Sequence, residues 1–433
     1  MVAAVASSWA LFLGVALMML GNGLQGSLLG IRASLEGFPT TLTGILMSGY
    51  YTGFLVGSVL APKLVARVGH VRVFAALASL ASSAILVHVL WIDPASWTAI
   101  RLVSGFCYAG LYVVVESWLN DQASNETRGQ LLSVYMVVVL GGAAGGQILL
   151  NLADPSGSKL FILVSILISL SLIPLLLSTG RTPPFETPSP VGIRQLYRVS
   201  PTGVVGYFGT VMANAAYFGM GAVYGSAIGL SIRDISVFMS LILIGGMVLQ
   251  WPLGQLSDAW DRRQVLTAVT FLAALFALLA GIAAERSLLG LFALTALFGG
   301  TSLPLYSLCI AHTNDHLTRD QMVQASGTLV LIGGVGAIFG PISAAIAMER
   351  LGAAGFFWSL ALIHAAIGLF ALYRMTRRRA LPRGEQGSYV AVAPRVSPVA
   401  GALYAGVAEA APPARESEAT AGTPAAEPQH GAN

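Results

Sequence analysis

The 433-residue chain is 55% hydrophobic and only 10% charged, where a soluble domain of this size carries about 25% charged residues. That is too little charge to coat a water-facing surface, so most of the surface must meet lipid. The formal net charge of +4 does not point to a nucleic-acid partner. The two cysteines, Cys107 and Cys309, fall inside apolar runs, which fits neither a disulfide framework nor a zinc site.

A spanning helix needs about 20 mostly apolar residues. The chain offers twelve such runs, at residues 8–30, 43–66, 73–90, 97–119, 130–152, 160–177, 203–228, 235–255, 265–284, 288–311, 322–347 and 355–373. The first has no Lys or Arg before it and no small-residue cleavage site after it, so it reads as a retained span, not a signal peptide. Lipid cannot satisfy backbone groups, so open-ended spans must be helices. The 49 glycines weaken helices in water but allow close helix contact in lipid. Fifteen Lys and Arg fall on the side that holds Lys63, Arg128 and Arg194, against six on the side that holds Arg32 and Arg233. The richer side is read as cytoplasmic, with both termini there.

Between runs six and seven, Pro183, Pro184, Pro188 and Pro190 precede Arg194 and Arg198. This stretch reads as a cytoplasmic linker. The expected division is a six-helix bundle at 1–178, a linker at 179–201, a second bundle at 202–376 and a disordered cytoplasmic tail at 377–433, where Ala, Pro, Glu, Gly and Ser take over without helical period.

An internal repeat supports two bundles. Gly105, Leu111, Tyr112, Asn120, Asp121, Gln130, Gly142 and Gly146 recur as Gly299, Leu305, Tyr306, Asn314, Asp315, Gln324, Gly336 and Gly340, all at one offset (299 − 105 = 194). Chance glycine matches are easy in this composition; Tyr and Asn-Asp matches in the same register are harder.

Some polar side chains fall inside the runs. Arg101, Gly105, Tyr108, Tyr112 and Glu116 are spaced three or four apart and form one helical stripe. An ionised residue at mid-depth costs roughly 2.5–3.5 kcal/mol and normally faces a cavity or a partner. Arg101 has two readings: proton coupling or substrate charge in a cavity, or snorkelling to the outer interface. Glu116 is either a protonatable coupling group or a salt-bridge partner of Arg128 or Arg67. Asn22 and Gln25 are buried amides in the first run, and Asn214 and Tyr217 take similar places in the seventh. His312 and His316 stand at i and i+4, but Thr313 fills the place where a zinc-protease motif needs Glu. No metal is expected.

Residues 250–263 read QWPLGQLSDAWDRR, a polar turn between two apolar runs. Gly254, Leu256, Asp258, Arg262 and Arg263 resemble the G-x-L-x-D-x-x-x-R-R loop of the major facilitator superfamily. In the first half Leu64, Arg67, Gly69 and Arg72 resemble the same loop, with Pro62 and Ala66 in place of its Gly and Asp. Arg101 to Gly105 resembles the fourth-helix R-x-x-x-G motif. Gly141 to Gly146 resembles the exporter motif without its Pro, and close helix packing explains those glycines as well. Residues 111–121, LYVVVESWLND, look like the YcaD-type branch, and some bacterial riboflavin transporters resemble this kind of sequence.

The resemblance implies an all-α membrane protein with twelve transmembrane helices in two pseudo-symmetric six-helix bundles, the major facilitator fold. It implies a secondary transporter of the inner membrane that carries a small organic solute by alternating access, coupled to protons, and neither an enzyme nor a cofactor protein. The first, fourth, seventh and tenth helices would line the cavity. That brings Asn22, Gln25, Tyr108, Tyr112, Asn214, Tyr217, Tyr224 and Tyr306 forward as substrate residues, suited to a planar, partly polar molecule such as riboflavin. Arg101 and Glu116 are the coupling candidates. Arg67, Gly69, Arg72, Gly254, Asp258, Arg262 and Arg263 are the cytoplasmic gate. The alternatives are an exporter of the same fold and a membrane sensor that binds without transport.

Overall fold

The computed structural model describes residues 8–124, 126–177, 191–377, 381–382 and 385–392. Twelve long helices form the molecule. In chain order they are α1 (Trp9–Leu35), α2 (Thr40–Val68), α3 (His70–Leu90), α4 (Pro94–Gln122), α5 (Arg128–Ile148), α6 (Lys159–Leu176), α7 (Pro201–Ala227), α8 (Ile232–Ala259), α9 (Arg262–Ala283), α10 (Leu288–Asn314), α11 (Arg319–Leu351) and α12 (Gly355–Arg377). A short linker helix, Ile193–Val199, precedes α7.

Among the described residues, eleven of these helices are long and apolar enough to cross a membrane. The other long helix, α7, spans 27 residues rich in Gly, Ala and Tyr, and 20 of them are buried. Gly, Thr, Asn and Tyr lower its mean hydropathy, which suits its place: most of its surface meets protein, where small residues let helices approach closely.

The two bundles share one packing scheme. In the first, α2 packs on α4, α1 on α5 and α6, and α3 on α4 and α6; in the second, α8 packs on α10, α7 on α11 and α12, and α9 on α10 and α12. Between bundles, α2 meets α11, α5 meets α8, and α1 meets α7.

The repeat reaches atomic contacts. A Cβ on Gly105 would collide with the Tyr50 carbonyl, and one on Gly299 with the Ile242 carbonyl. Gly146 presses on the Leu20 carbonyl as Gly340 does on the Met212 carbonyl. The partner residues lie 192 apart (242 − 50 and 212 − 20) while the glycines lie 194 apart. The two-residue difference therefore enters between α2 and α4. Gly142 faces the Ala16 carbonyl, which gives the glycine run of α5 a packing role against α1.

Most of the hydrogen bonds between bundles lie in the half remote from the chain termini, and Tyr51 Oη donates to the Ala215 carbonyl at 3.5 Å near the middle of α2 and α7. Ser48 Oγ donates to the Ile338 carbonyl at 2.6 Å, Asn151 Nδ2 to Ser236 Oγ at 3.0 Å and Ser240 Oγ to the Ala144 carbonyl at 3.2 Å. Thr41 pairs with Glu349 at the same end.

The sequence suggests no structure beyond residue 377. Residues 385–392 nevertheless follow a defined course against α8 and α10, with Val392 only 3% exposed.

Candidate functional site

A cavity lies between the bundles. Its polar wall comes from the first bundle: Asn22 and Ser27 of α1, Tyr50 and Tyr51 of α2, Arg101 and Tyr112 of α4, and Gln147 of α5. The second bundle contributes Phe218, Met239 and Leu243, all apolar. One side of the chamber offers hydrogen bonds and a cation; the other offers only hydrophobic surface.

Arg101 is the one charged residue in that lining. It is the eighth residue of α4, roughly 10 Å below the helix start at 1.5 Å per residue. It is 5% exposed, and its guanidinium carbon sits 4.5 Å from the centroid of the Tyr50 ring. This geometry is cation–π packing on the cavity wall, and it decides against snorkelling. Asn22 Nδ2 donates to Tyr50 Oη at 3.4 Å. Gln147 donates to the Gly23 carbonyl at 2.9 Å and accepts from Ser27 at 2.5 Å, which fixes its amide at the wall.

Only some of the sequence-derived candidates reach this chamber. Asn22, Arg101 and Tyr112 line it; Tyr112 Oη also donates to the Met19 sulfur at 3.1 Å. Tyr108 is fully buried behind Tyr50, with ring centroids 6.0 Å apart. Gln25 is 1% exposed, and neither amide atom has a hydrogen-bond partner among the described residues. Asn214 faces the interior of the second bundle and accepts from Ser302 Oγ at 2.9 Å, which in turn meets His364 Nε2 at 3.0 Å. Tyr217 donates to the Phe238 carbonyl at 3.1 Å, and Tyr224 stacks on Phe356 at 4.8 Å. Both belong to an aromatic cluster of α7, α8 and α12, so packing is the role their contacts give them. Tyr306 pairs with Tyr207, Oη to Oη, at 2.9 Å, also away from the chamber lining. Tyr50, Tyr51, Ser27 and Gln147 did not stand out in the sequence. The adjacent tyrosines of α2 were the available signal.

Glu116 is fully buried and accepts from Tyr135 Oη at 3.0 Å, a contact between α4 and α5 that the charge pattern does not suggest.

The loop residues form a network in the second bundle. Arg262, 1% exposed, donates to Asp258 at 2.9 Å, to Asp315 at 2.6 Å and to Ser257 Oγ at 2.9 Å. Arg263 reaches Asp261 at 3.6 Å, and Asp261 caps α9 through the Arg263 N–H at 3.0 Å. Burial pushes the Asp315 carboxyl above its ordinary range, against the pull of Arg262. In the first bundle Gly69 takes a φ of +92° at the turn, a backbone shape that glycine adopts at no steric cost. Arg67 and Arg72 are exposed. Inward contact is made by His70, whose Nε2 meets Ser117 Oγ at 2.8 Å and whose ring packs on Trp118.

With the packing scheme and the cavity in view, the comparisons decide the family. The Major Facilitator Superfamily model matches residues 11–241 and again 203–411. The chain belongs to the major facilitator superfamily. It is 28% identical over 341 residues to the uncharacterized MFS-type transporter YcaD of Escherichia fergusonii, covering 78% of this chain and 87% of that one. It is 27% identical over 349 residues to an uncharacterized MFS-type transporter of Yersinia enterocolitica, with 78% and 88% covered. Among solved structures it superposes on nucleoside transporter NupG with a TM-score of 0.65 at 12% identity, covering 86% of this chain and 98% of that one. A bacterial homolog of the lysosomal transporter Spinster, titled inward-facing and occupied, gives 0.64 at 13%, with 84% and 94% covered. At these identities the structures establish the fold. The expected architecture of two six-helix bundles, the superfamily and its YcaD-type relatives therefore hold, and the chain is a multi-pass membrane transporter.

Proposed function

We propose that this superfamily member is a secondary carrier of the bacterial inner membrane. It moves a small organic solute through the cavity between its bundles by alternating access, coupled to protons, with both termini in the cytoplasm. The observation that carries this reading is the lining of the cavity, where Arg101, Asn22 and three tyrosines face an apolar wall. A solute with one polar or anionic edge and one flat apolar face matches both sides. Asn22, Tyr112 and Arg101 touch it, and Gln25 and Tyr108 stand behind them. The bundles are bonded at the end remote from the termini, which supports a state open toward the cytoplasm. The Asp258–Arg262–Asp315 network is the gate that rearranges when that side closes.

Riboflavin is the first solute to test, because its ring is planar and its edge is rich in hydrogen-bonding groups. Purified protein in vesicles should accumulate riboflavin under an imposed proton gradient, and a riboflavin auxotroph should grow on less vitamin when it carries the protein. A compound that binds yet neither enters nor leaves the vesicles would overturn the carrier reading in favour of a sensor. Net movement outward in cells would make the protein an exporter.

A further inference from the structure

Residues 385–392 return to the terminal face and lie along the groove between the ends of α8 and α10. Their backbone bonds go to the gate. The Tyr389 N–H donates to Asp258 at 2.8 Å, the Gly387 N–H to Asp315 at 3.0 Å, and Arg262 donates to the Gly387 carbonyl at 2.6 Å. Deeper in, Gln250 Nε2 donates to Tyr389 Oη at 2.7 Å and to Ser307 Oγ at 2.9 Å, and the Val392 N–H donates to the same Ser307 Oγ at 2.9 Å. The Tyr389 ring covers Gly254 so closely that a Cβ there would come within 2.5 Å of it. Burial pushes the Tyr389 hydroxyl well above the ordinary phenol range.

The contacts tie α8, the start of α9 and the end of α10 to one another through a segment that is not part of the bundle. They also fill a groove at the end of the molecule where the bundles share no hydrogen bond among the described residues. Closing that end would bring the first bundle onto this face.

We propose that residues 385–392 are an autoinhibitory strap: docked, they hold the second bundle's gate in the open arrangement, and they must leave the groove before the terminal side can close. Tyr389 is its anchor and Gly254 the notch that admits the ring. The proposal rests on the alternating-access reading, and two measurements keep the two apart.

The first is docking. In full-length protein with Cys107 and Cys309 replaced by alanine, Ser388→Cys should react slowly with a water-soluble maleimide. Adding Tyr389→Ala or Gly254→Ala should speed the reaction by about tenfold or more, as expected when a local opening is no longer held by its contacts. Tyr389→Phe, which keeps the ring and drops the Gln250 bond, should fall between. A parent that reacts as fast as the unfolded chain would show that nothing is docked. The second is gate position, read without any solute as the spin-label distance between Val71→Cys and Gln264→Cys, on the two bundles. Release should shift the population to shorter distances and, in vesicles, speed solute exchange several-fold. Released variants with unchanged distances would overturn the strap's control of closure. Shortened distances with no solute ever crossing would leave the strap standing and sink the carrier reading alone.

Discussion

Arg262 occupies in the second bundle the position that His70 holds in the first. Each is the first residue of the helix after the loop, each is 1% exposed, and they lie 192 apart (262 − 70), the register of the first two helices of each repeat. His70 makes a neutral contact to Ser117. Arg262 sits between two carboxylates. The same site thus carries a packing group in one bundle and a charge network in the other, which makes the second bundle the one whose loop is held by ions.

Removing the cation should be costly. Arg262→Ala leaves Asp315, whose side chain is 3% exposed, buried without its partner. Breaking such a buried pair typically destabilises by about 3–5 kcal/mol. Asp258, 34% exposed, should tolerate Asp258→Asn with a loss of at most about 1 kcal/mol and normal membrane insertion, but with impaired transport. Thermal unfolding in detergent, beside uptake rates, separates the two; wild-type uptake in Asp258→Asn would remove the gate assignment.

Arg101 should set charge preference. Arg101→Gln keeps a polar group on the cavity wall and loses the cation. Binding of an acidic solute should weaken by roughly tenfold or more, since hydrogen bonds to charged groups contribute about 1.5–3 kcal/mol. A neutral analogue should be affected much less. Equal losses for both, by titration calorimetry, would place Arg101 in the scaffold.

Glu116→Gln tests coupling. Glutamine can still accept from Tyr135, so the α4–α5 contact and the fold should survive. Solute exchange should continue while accumulation driven by a proton gradient disappears. Gradient-driven accumulation at the parent level would leave Glu116 as a packing group.

The repeat makes paired predictions about glycines. Gly105→Ala and Gly299→Ala each force a methyl group onto a backbone carbonyl that cannot swing aside. Overpacking of this kind costs about 1–3 kcal/mol, and both should lower the unfolding temperature. Gly141→Ala, where no atom of another helix among the described residues lies within 4 Å of the added carbon, should be neutral or slightly stabilising. If all three behaved alike, the close helix crossings would be disproved.

Much of the architecture was legible because its signals are local. Apolar runs mark spans wherever their neighbours lie, and the repeat is a spacing that needs no contact map. The loop residues were readable for the same reason, since Asp258 and Arg262 stand four positions apart across the turn between α8 and α9. The second-bundle tyrosines were not. A three-to-four spacing defines a stripe but not the direction it faces, and α7 is buried on so many sides that Tyr217 and Tyr224 meet phenylalanines. Asp315 as a partner of Arg262, and Tyr389 as a partner of Asp258, 131 positions away, depend on chain return. No periodic pattern announces the strap within a tail rich in Ala, Pro and Gly.

The dilute character of α7 bears on how the protein is made. By mean hydropathy α7 falls short of the eleven other long helices, so lipid alone favours it least, and its principal neighbour α11 begins at residue 319, 92 positions after α7 ends (319 − 227). At 5–20 residues per second, a ribosome needs roughly 5–20 seconds to supply that neighbour. During that interval the first bundle already offers α7 a protein surface, because α1 is one of its packing neighbours.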